Sequence, residues 1–215
     1  MGFGPYEGQD QVTAVKRPEG YRSRNFVLRT FPGIHEAEEL AEAFFWTRVR
    51  VQPPGPQDDR IHIRWDVSPD IAYVLFVADP AIATSYLTAV SPVGPEMIDT
   101  LTTLLEASEE VIPPDELLKA VDEAGNGQDK ALALLRAGLG APLTSDPRLV
   151  KRIEAGARDR DPQVRGGALW GVVFSECPVF RRLLAQSAVD DPEAALRQFA
   201  DGALATFDRM GLPAP

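Results

Sequence analysis

The chain has 215 residues, with 22 Lys and Arg against 32 Asp and Glu, so its net charge is −10. This acidic balance disfavours binding to nucleic-acid phosphates and to anionic membranes, so we expect no nucleic-acid and no membrane partner. A single cysteine excludes an intramolecular disulfide, and two histidines disfavour a His-rich metal site. The sequence shows no secretory signal and no apolar stretch of membrane-spanning length, so we expect a cytoplasmic protein.

The first 92 residues are predicted to form a small α/β unit. Residues 1–24 are rich in Gly, Pro and charge, so we expect a loose arm with one short strand near residues 12–15. Residues 25–31 indicate a strand. Apolar residues between 34 and 45 then recur at helical spacing beside many glutamates, which predicts an amphipathic helix.

The rest of this unit is predicted to contain a hairpin and a short helix. Strict alternation of apolar and polar residues at 61–67 predicts a half-buried strand, and 71–78 follow as a second strand after a short turn. Asp79 followed by Pro80 fits the start of a short helix. The predicted order is therefore β-α-β-β-α, with a further short strand at 49–51 and every strand before residue 80.

Residues 93–215 are predicted to be entirely helical. Seven segments with apolar residues at helical spacing are separated by short breaks. Three polar turns, at 125–129, 159–163 and 189–193, have centres 34 and then 30 residues apart. Helix pairs that repeat with such a period indicate an α-solenoid, in which each pair buries its apolar face against the next.

One segment of this half resembles a known family. Residues 157–172 are similar to the second-helix entry of a HEAT repeat. The matching residues are Asp161, Pro162, Val164, Arg165 and Ala168. Residues 188–204 match only in Asp191 and Pro192, and residues 125–135 lack the proline.

The resemblance implies a HEAT-like stack over about residues 114–211. Asp161 before Pro162 fits a helix cap, and the resemblance implies that Arg165 bridges to acidic groups of an adjacent repeat. The functional alternative is that Asp161 and Arg165 contact a partner. The predicted fold class is therefore α+β: a small N-terminal α/β unit (1–92), followed by an all-helical HEAT-like stack of about seven helices (93–215).

Residues 166–177 contain three glycines, a tryptophan and the single cysteine, and each of these features has a structural and a functional interpretation. Gly166, Gly167 and Gly171 surround Trp170 within one helix, where each glycine costs about 1 kcal/mol relative to alanine. Either a neighbouring helix approaches the glycines closely, or a shallow pocket lies beside an exposed Trp170, a residue type enriched at binding hot spots. Cys177 has no histidine nearby in the sequence to act as a base, so we expect an inert thiol.

The clearest functional signal is charge segregation. Residues 96–129 contain ten acidic residues and one basic residue, whereas residues 148–182 contain eight basic and four acidic ones. The acidic segment is either a solvated surface or a docking surface for a basic partner. The candidate partner-binding residues are Glu109, Glu110, Asp115, Glu116, Asp122, Glu123 and Trp170.

No catalytic motif stands out. The sequence contains no P-loop, dinucleotide fingerprint, nucleophile elbow or zinc motif, so we predict no catalytic residue, no cofactor and no metal. We expect a non-enzymatic protein–protein interaction module, in its most concrete form an immunity or inhibitor protein that neutralises a basic bacterial toxin. The alternative is an enzyme with a ligand pocket at the junction of the α/β unit and the helical stack, marked by a carboxyl group of raised pKa.

Overall fold

The computed structural model describes residues 13–17, 20–55 and 58–212. Over these residues the protein is mixed α/β, with a six-stranded antiparallel sheet and eight α-helices. The strands are β1 (Val15–Arg17), β2 (Gly20–Val27), β3 (Thr47–Gln52), β4 (Ile61–Ser68), β5 (Ala72–Asp79) and β6 (Thr84–Ser91). The helices are α1 (Ile34–Ala43), α2 (Glu96–Glu106), α3 (Pro114–Glu123), α4 (Gly127–Leu139), α5 (Pro147–Gly156), α6 (Pro162–Ser175), α7 (Arg181–Asp190) and α8 (Ala194–Arg209).

The strands are arranged in the order β1-β2-β6-β5-β4-β3. The predicted hairpin is confirmed as β4–β5, whose register places Ile63 opposite Phe76 and Trp65 opposite Val74. Ile63 and Trp65 are buried. The alternating pattern of β4 therefore identifies its buried side correctly.

The predicted order β-α-β-β-α is wrong in two places. β1 and residues 20–24 of β2 lie within the predicted loose arm, and the strand expected at 25–31 is only the end of β2, which stops at Val27. Residue 12 of the short strand expected near 12–15 is outside the described residues. β6 follows Asp79, which caps only a single 3₁₀ turn at Pro80–Ile82 rather than a helix. Seven of the eight β6 residues are buried, so this central strand is covered on both sides and shows no alternation.

The sheet and the helices form two apolar cores. The first lies between one side of the sheet and helices α1 and α2, and it includes Phe26, Phe76 and Ile98. The second lies among α3 to α8 and also takes in Val27 of β2. Adjacent residues of β2 thus contribute to different cores, which joins the sheet to the helical part. Helix α2, predicted with the helical half, packs on the sheet.

The seven helices predicted after residue 93 are all present among the described residues. Polar turns join α3 to α4, α5 to α6 and α7 to α8. Between α2 and α3, Val111 forms an isolated β-bridge with Leu28, the one described departure from purely helical structure in this half. None of the described helices combines the length and the apolar character needed to cross a membrane.

Candidate functional site

Two of the predicted acidic residues form ion pairs between helices. Asp115 lies 2.8 Å from Arg148, and both oxygens of Asp122 accept hydrogen bonds from Arg152, at 3.0 and 2.5 Å. The bonds from Arg152 hold the pKa of Asp122 below its usual value. The two acids are seven residues apart on α3, and the two arginines are four residues apart on α5. The two ion pairs, which we call the α3–α5 ion pairs, therefore join successive helix pairs.

Two more of these acidic residues also have basic partners. Glu116 accepts bonds from Arg29 at 2.5 and 2.9 Å, which lower the pKa of this carboxyl group. Glu123 lies 3.4 Å from Lys119, one turn earlier on α3. Four of the six predicted docking carboxylates therefore contribute to intramolecular pairs.

Glu109 and Glu110 differ from the other four. They lie in the connection between α2 and α3, where their main-chain carbonyls accept bonds from the side chain and the main chain of Arg29. Within the described residues, neither carboxylate forms an ion pair. Of the six acidic candidates, these two best fit a role toward a partner.

The spacing of the interhelical pairs carries a sequence signal that our prediction missed. In each pair an acid and a base are separated by about one helical repeat. The separations are 33 residues for Asp115–Arg148, 30 for Asp122–Arg152, 29 for Lys130–Asp159 and 26 for Arg165–Asp191. The charge segregation along the sequence therefore corresponds in large part to pairing between successive helix pairs.

The HEAT-like motif residues have the structural roles that the resemblance implies. Asp161 accepts a bond from the main-chain N–H of Gln163 at 2.8 Å and so caps α6. Arg165 is buried and donates two bonds to the carboxylate of Asp191, at 2.9 and 3.0 Å. Burial raises the pKa of Asp191, but the bonds and charges it receives outweigh burial and leave that pKa below its usual value.

A cleft of about 440 Å³ lies between the α5–α6 turn and the end of α7. The Arg165–Asp191 pair forms part of its wall, together with Arg158, Arg160 and Asp190. Both signs of charge are present in its lining. The cleft lies among α5, α6 and α7 rather than at the junction predicted for the enzyme alternative.

The close-approach interpretation is confirmed for two of the three glycines around Trp170. A Cβ at Gly167 would overlap the backbone of Ala131, and one at Gly171 would lie 2.6 Å from the carbonyl oxygen of Leu134. Helices α4 and α6 therefore touch backbone to backbone. Gly166 is different, because its nearest neighbour is a side-chain carbon of Leu196 at an ordinary 3.5 Å.

Trp170 itself is exposed and lies in an aromatic cluster. The side chain stacks on Phe174, with 5.7 Å between ring centroids, and contacts Phe199 of α8 at 4.7 Å. Trp170 remains 42% exposed. We refer to Trp170, Phe174 and Phe199 as the Trp170 patch.

The junction between sheet and helices is held by buried or half-buried arginines. Arg17 and Arg22 both pair with Glu176, which ends α6. Arg24 donates to the carbonyl of Gly140 at 3.3 Å; burial lowers its pKa, and Glu106 opposes that shift. These contacts fix the two parts of the molecule against each other.

Cys177 and the two histidines were not predicted to have a functional role. Cys177 is half-buried and packs against the helical core. His35 and His62 each lie beside one carboxylate, Glu39 at 3.3 Å and Asp58 at 3.4 Å. Within the described ranges, no three His, Cys, Asp or Glu side chains are arranged to hold a metal ion.

An exposed surface that the sequence analysis did not single out lies where α1 meets β3. Phe44, Phe45, Val49 and Val51 are all exposed there. We refer to these four residues and the outer edge of β3 as the β3 edge surface. Our prediction missed it because the two phenylalanines continue the apolar spacing of α1, whereas the helix ends at Ala43.

Comparison of the chain with protein-family models, with curated proteins and with solved structures finds no match.

Proposed function

We propose that this chain is a non-enzymatic protein–protein interaction module, in which the sheet unit supports a HEAT-like stack of helix pairs. The observation that carries the proposal is the Trp170 patch. An exposed Trp supported by two further aromatic rings provides apolar contact area at a fixed position, as hot-spot residues do. Backbone contact between α4 and α6 and the buried Arg165–Asp191 pair hold its supporting helix in place.

A partner with a basic surface fits this site best. The whole chain has a net charge of −10, which favours encounter with a positively charged protein. An exposed indole ring also attracts Arg or Lys side chains through its negative π face. In the narrower form of the proposal the chain is an immunity or inhibitor protein for a basic bacterial toxin, and Glu109 and Glu110 steer the toxin toward it.

The enzyme alternative requires a ligand pocket at the junction of sheet and helices. The junction groups described here serve instead to connect the two parts. Besides the bond from Arg24, Arg136 of α4 donates to the main-chain carbonyl of Ala83 at 2.7 Å. No specific observation favours the alternative over the interaction module.

The proposal is tested with two variants of the full chain. Trp170→Ala removes the exposed ring, and Val189→Ala removes an exposed apolar side chain from α7 as a matched control. We expect wild type and Val189→Ala to capture the same protein from an extract of source cells, and Trp170→Ala to lose it. Thermal unfolding establishes that both variants are folded.

A quantitative measurement with the captured protein completes the test. Since truncation of an aromatic hot spot costs at least about 2 kcal/mol of binding free energy, Kd should rise by about 30-fold or more for Trp170→Ala. Equal capture and equal Kd for all three chains would exclude the Trp170 patch as the contact surface.

A further inference from the structure

Within the part of the chain that the structure describes, no strand lies beside the outer edge of β3. β3 is the last strand in the sheet order and pairs with β4 alone among the described strands. All six of its residues are exposed. In an antiparallel pair, half of the main-chain N–H and C=O groups of an edge strand point away from the sheet, so this edge can accept a further strand.

Phe45, which begins the approach to β3, occupies a position that normally suits glycine. The N–H of Trp46 donates to the carbonyl of Ala41 at 2.8 Å, and the N–H of Phe45 donates to that of Glu42 at 3.1 Å. These two bonds form a Schellman motif at the end of α1. Phe45 has the left-handed φ of 57° that the motif requires, although left-handed backbone is unfavourable for residues with a Cβ.

The side chain of Phe45 gains no burial that would offset this strain, because it is 92% exposed. Its neighbour Phe44 is also exposed and stacks on the buried Trp46, with 5.8 Å between the ring centroids. The left-handed backbone of Phe45 therefore costs free energy that burial of its ring does not offset. Strain and exposed apolar surface of this kind are typical of binding sites.

The charges of β3 indicate the kind of strand that fits. Arg50 lies opposite Arg64 in the β3–β4 register, an unfavourable like-charge pair. Arg64 is engaged by Asp66 at 2.9 Å and by the ring of Tyr73 at 3.9 Å. Within the described residues no carboxylate pairs with Arg50, so this cation is available to an incoming acidic group.

The two sides of β3 have different chemistry. Val51 lies opposite Ile63, on the side of the sheet that α1 covers, whereas Arg50 projects from the other side. A strand added at this edge would therefore place alternate side chains against apolar and cationic neighbours. Arg48 is paired with Glu38 of α1 at 2.6 Å, so Arg50 is the cation of β3 that discourages a basic strand.

We propose that the β3 edge surface binds an extended, acidic segment of a partner protein, which adds to the sheet as a further strand beside β3. Alternating acidic residues of that segment face Arg50, and its apolar residues contact Val51 and Phe45. This is the β-augmentation mode of peptide recognition. A second copy of the chain is a poorer occupant, because its own β3 edge would bring the cation of Arg50 rather than an acidic group.

The proposal is independent of the Trp170 patch and is tested on the full chain with synthetic peptides. One capped hexapeptide alternates glutamate with valine, and a control peptide carries lysine in place of glutamate. Amide hydrogen exchange is followed by NMR across β3. We expect the glutamate peptide to slow exchange of the outward-facing amides of β3 at least about tenfold, and the lysine peptide to have no effect.

Three variants sharpen the test. Arg50→Glu should reverse the peptide preference, so that the lysine peptide protects β3 and the glutamate peptide does not. Phe45→Gly and Phe45→Ala should both weaken binding of the glutamate peptide, but only Phe45→Gly should raise the melting temperature, because only glycine relieves the left-handed strain.

Distinct results would overturn the proposal. Absence of protection by the glutamate peptide at millimolar concentration, or equal protection by both peptides, would show that β3 does not select an acidic strand. Protection that appears without peptide as protein concentration rises, together with a doubled mass in light scattering, would identify a second copy as the occupant. Capture that depends on Trp170 would be unaffected by either result.

Discussion

At the scale of single residues, the Arg165–Asp191 pair shows how a motif residue contributes to stability. Both side chains are buried, so each charge loses hydration that only the partner and nearby carbonyls replace. The carbonyls of Asp159 and Arg160 accept the remaining bonds of Arg165, at 3.1 Å each. The pair therefore joins the α5–α6 turn to the start of α8, and removing one partner leaves an uncompensated charge.

This pair predicts a pH-dependent contribution to stability. The pKa of Asp191 in the folded state is below its reference value of 3.8, because the bonds and charges it receives outweigh burial. The carboxylate thus stabilises the fold fully above pH 3.8 and loses that contribution as pH falls through the folded-state pKa. We expect Asp191→Asn to lower the free energy of unfolding by about 3 kcal/mol at pH 7 in urea titrations.

The control for this prediction is the adjacent Asp190, which is exposed. Asp190→Asn should change stability by less than about 0.5 kcal/mol. The difference between wild type and Asp191→Asn should also narrow when the titration is repeated below pH 3.8. A constant difference at all pH values would contradict the assigned pKa direction.

At the scale of secondary-structure elements, glycines determine how closely α4 and α6 pack. Gly167 faces the backbone of Ala131, whereas Gly166, one position earlier, faces only the side chain of Leu196. Gly167→Ala should destabilise the protein by about 1–3 kcal/mol, because a methyl group would force the helices apart. Gly166→Ala should instead stabilise it by up to about 1 kcal/mol through helix propensity.

Chemical denaturation of the two alanine variants provides the measurement. The pair is closely matched, because the residues are adjacent in one helix and gain the same methyl group. If both substitutions changed the free energy of unfolding equally, backbone contact at Gly167 would not set the distance between α4 and α6.

The elements that could be predicted from sequence are those whose burial is one-sided. Helices α2 to α8 and strand β4 expose one side to solvent or to a polar turn, so their periodicity is visible. Strand β6 is covered on both sides and its sequence shows no alternation, which is why a short helix was expected after Asp79 instead. The end of α1 was predicted too late, because the apolar spacing continues to Phe45 whereas the helix ends at Ala43.

The candidate site could be predicted only in part, for a related reason. An exposed Trp170 was one of two interpretations that the sequence left open, and its supporting ring Phe199 comes from another helix pair. Most of the acidic candidates were assigned to a partner because a sequence does not show which charges meet across helices. The repeat-length spacing of Asp122 and Arg152 would have indicated the internal pairing.

At the scale of the whole molecule, the net charge is −10, but only some of the acidic side chains are free of internal ion pairs and can attract a partner. Arg148 and Arg152 neutralise the acids of α3 that face α5, and this pairing stabilises the stack. Glu109 and Glu110 do not take part in these ion pairs between α3 and α5. Long-range attraction depends on the total charge, but the strongest local field arises where carboxylates have no internal counterion.

The difference between paired and unpaired carboxylates leads to a prediction about association rates. Reversing Glu109 and Glu110 to lysine should slow association with the basic partner captured by the wild-type chain by roughly tenfold at low salt, and should flatten its salt dependence. The melting temperature should change little, since neither carboxylate forms an ion pair within the described residues and both attract Arg29 only weakly. Stopped-flow association rates at low and high salt provide the measurement.

The matched control reverses Asp115 and Asp122, which changes the net charge by the same amount. Because these carboxylates pair with Arg148 and Arg152, the control should lower the melting temperature by bringing like charges together across α3 and α5. Its association rate should fall less, since the arginines already screen the acids it removes. If the two double variants slowed association equally, net charge alone would steer the partner, and Glu109 and Glu110 would have no special role in docking.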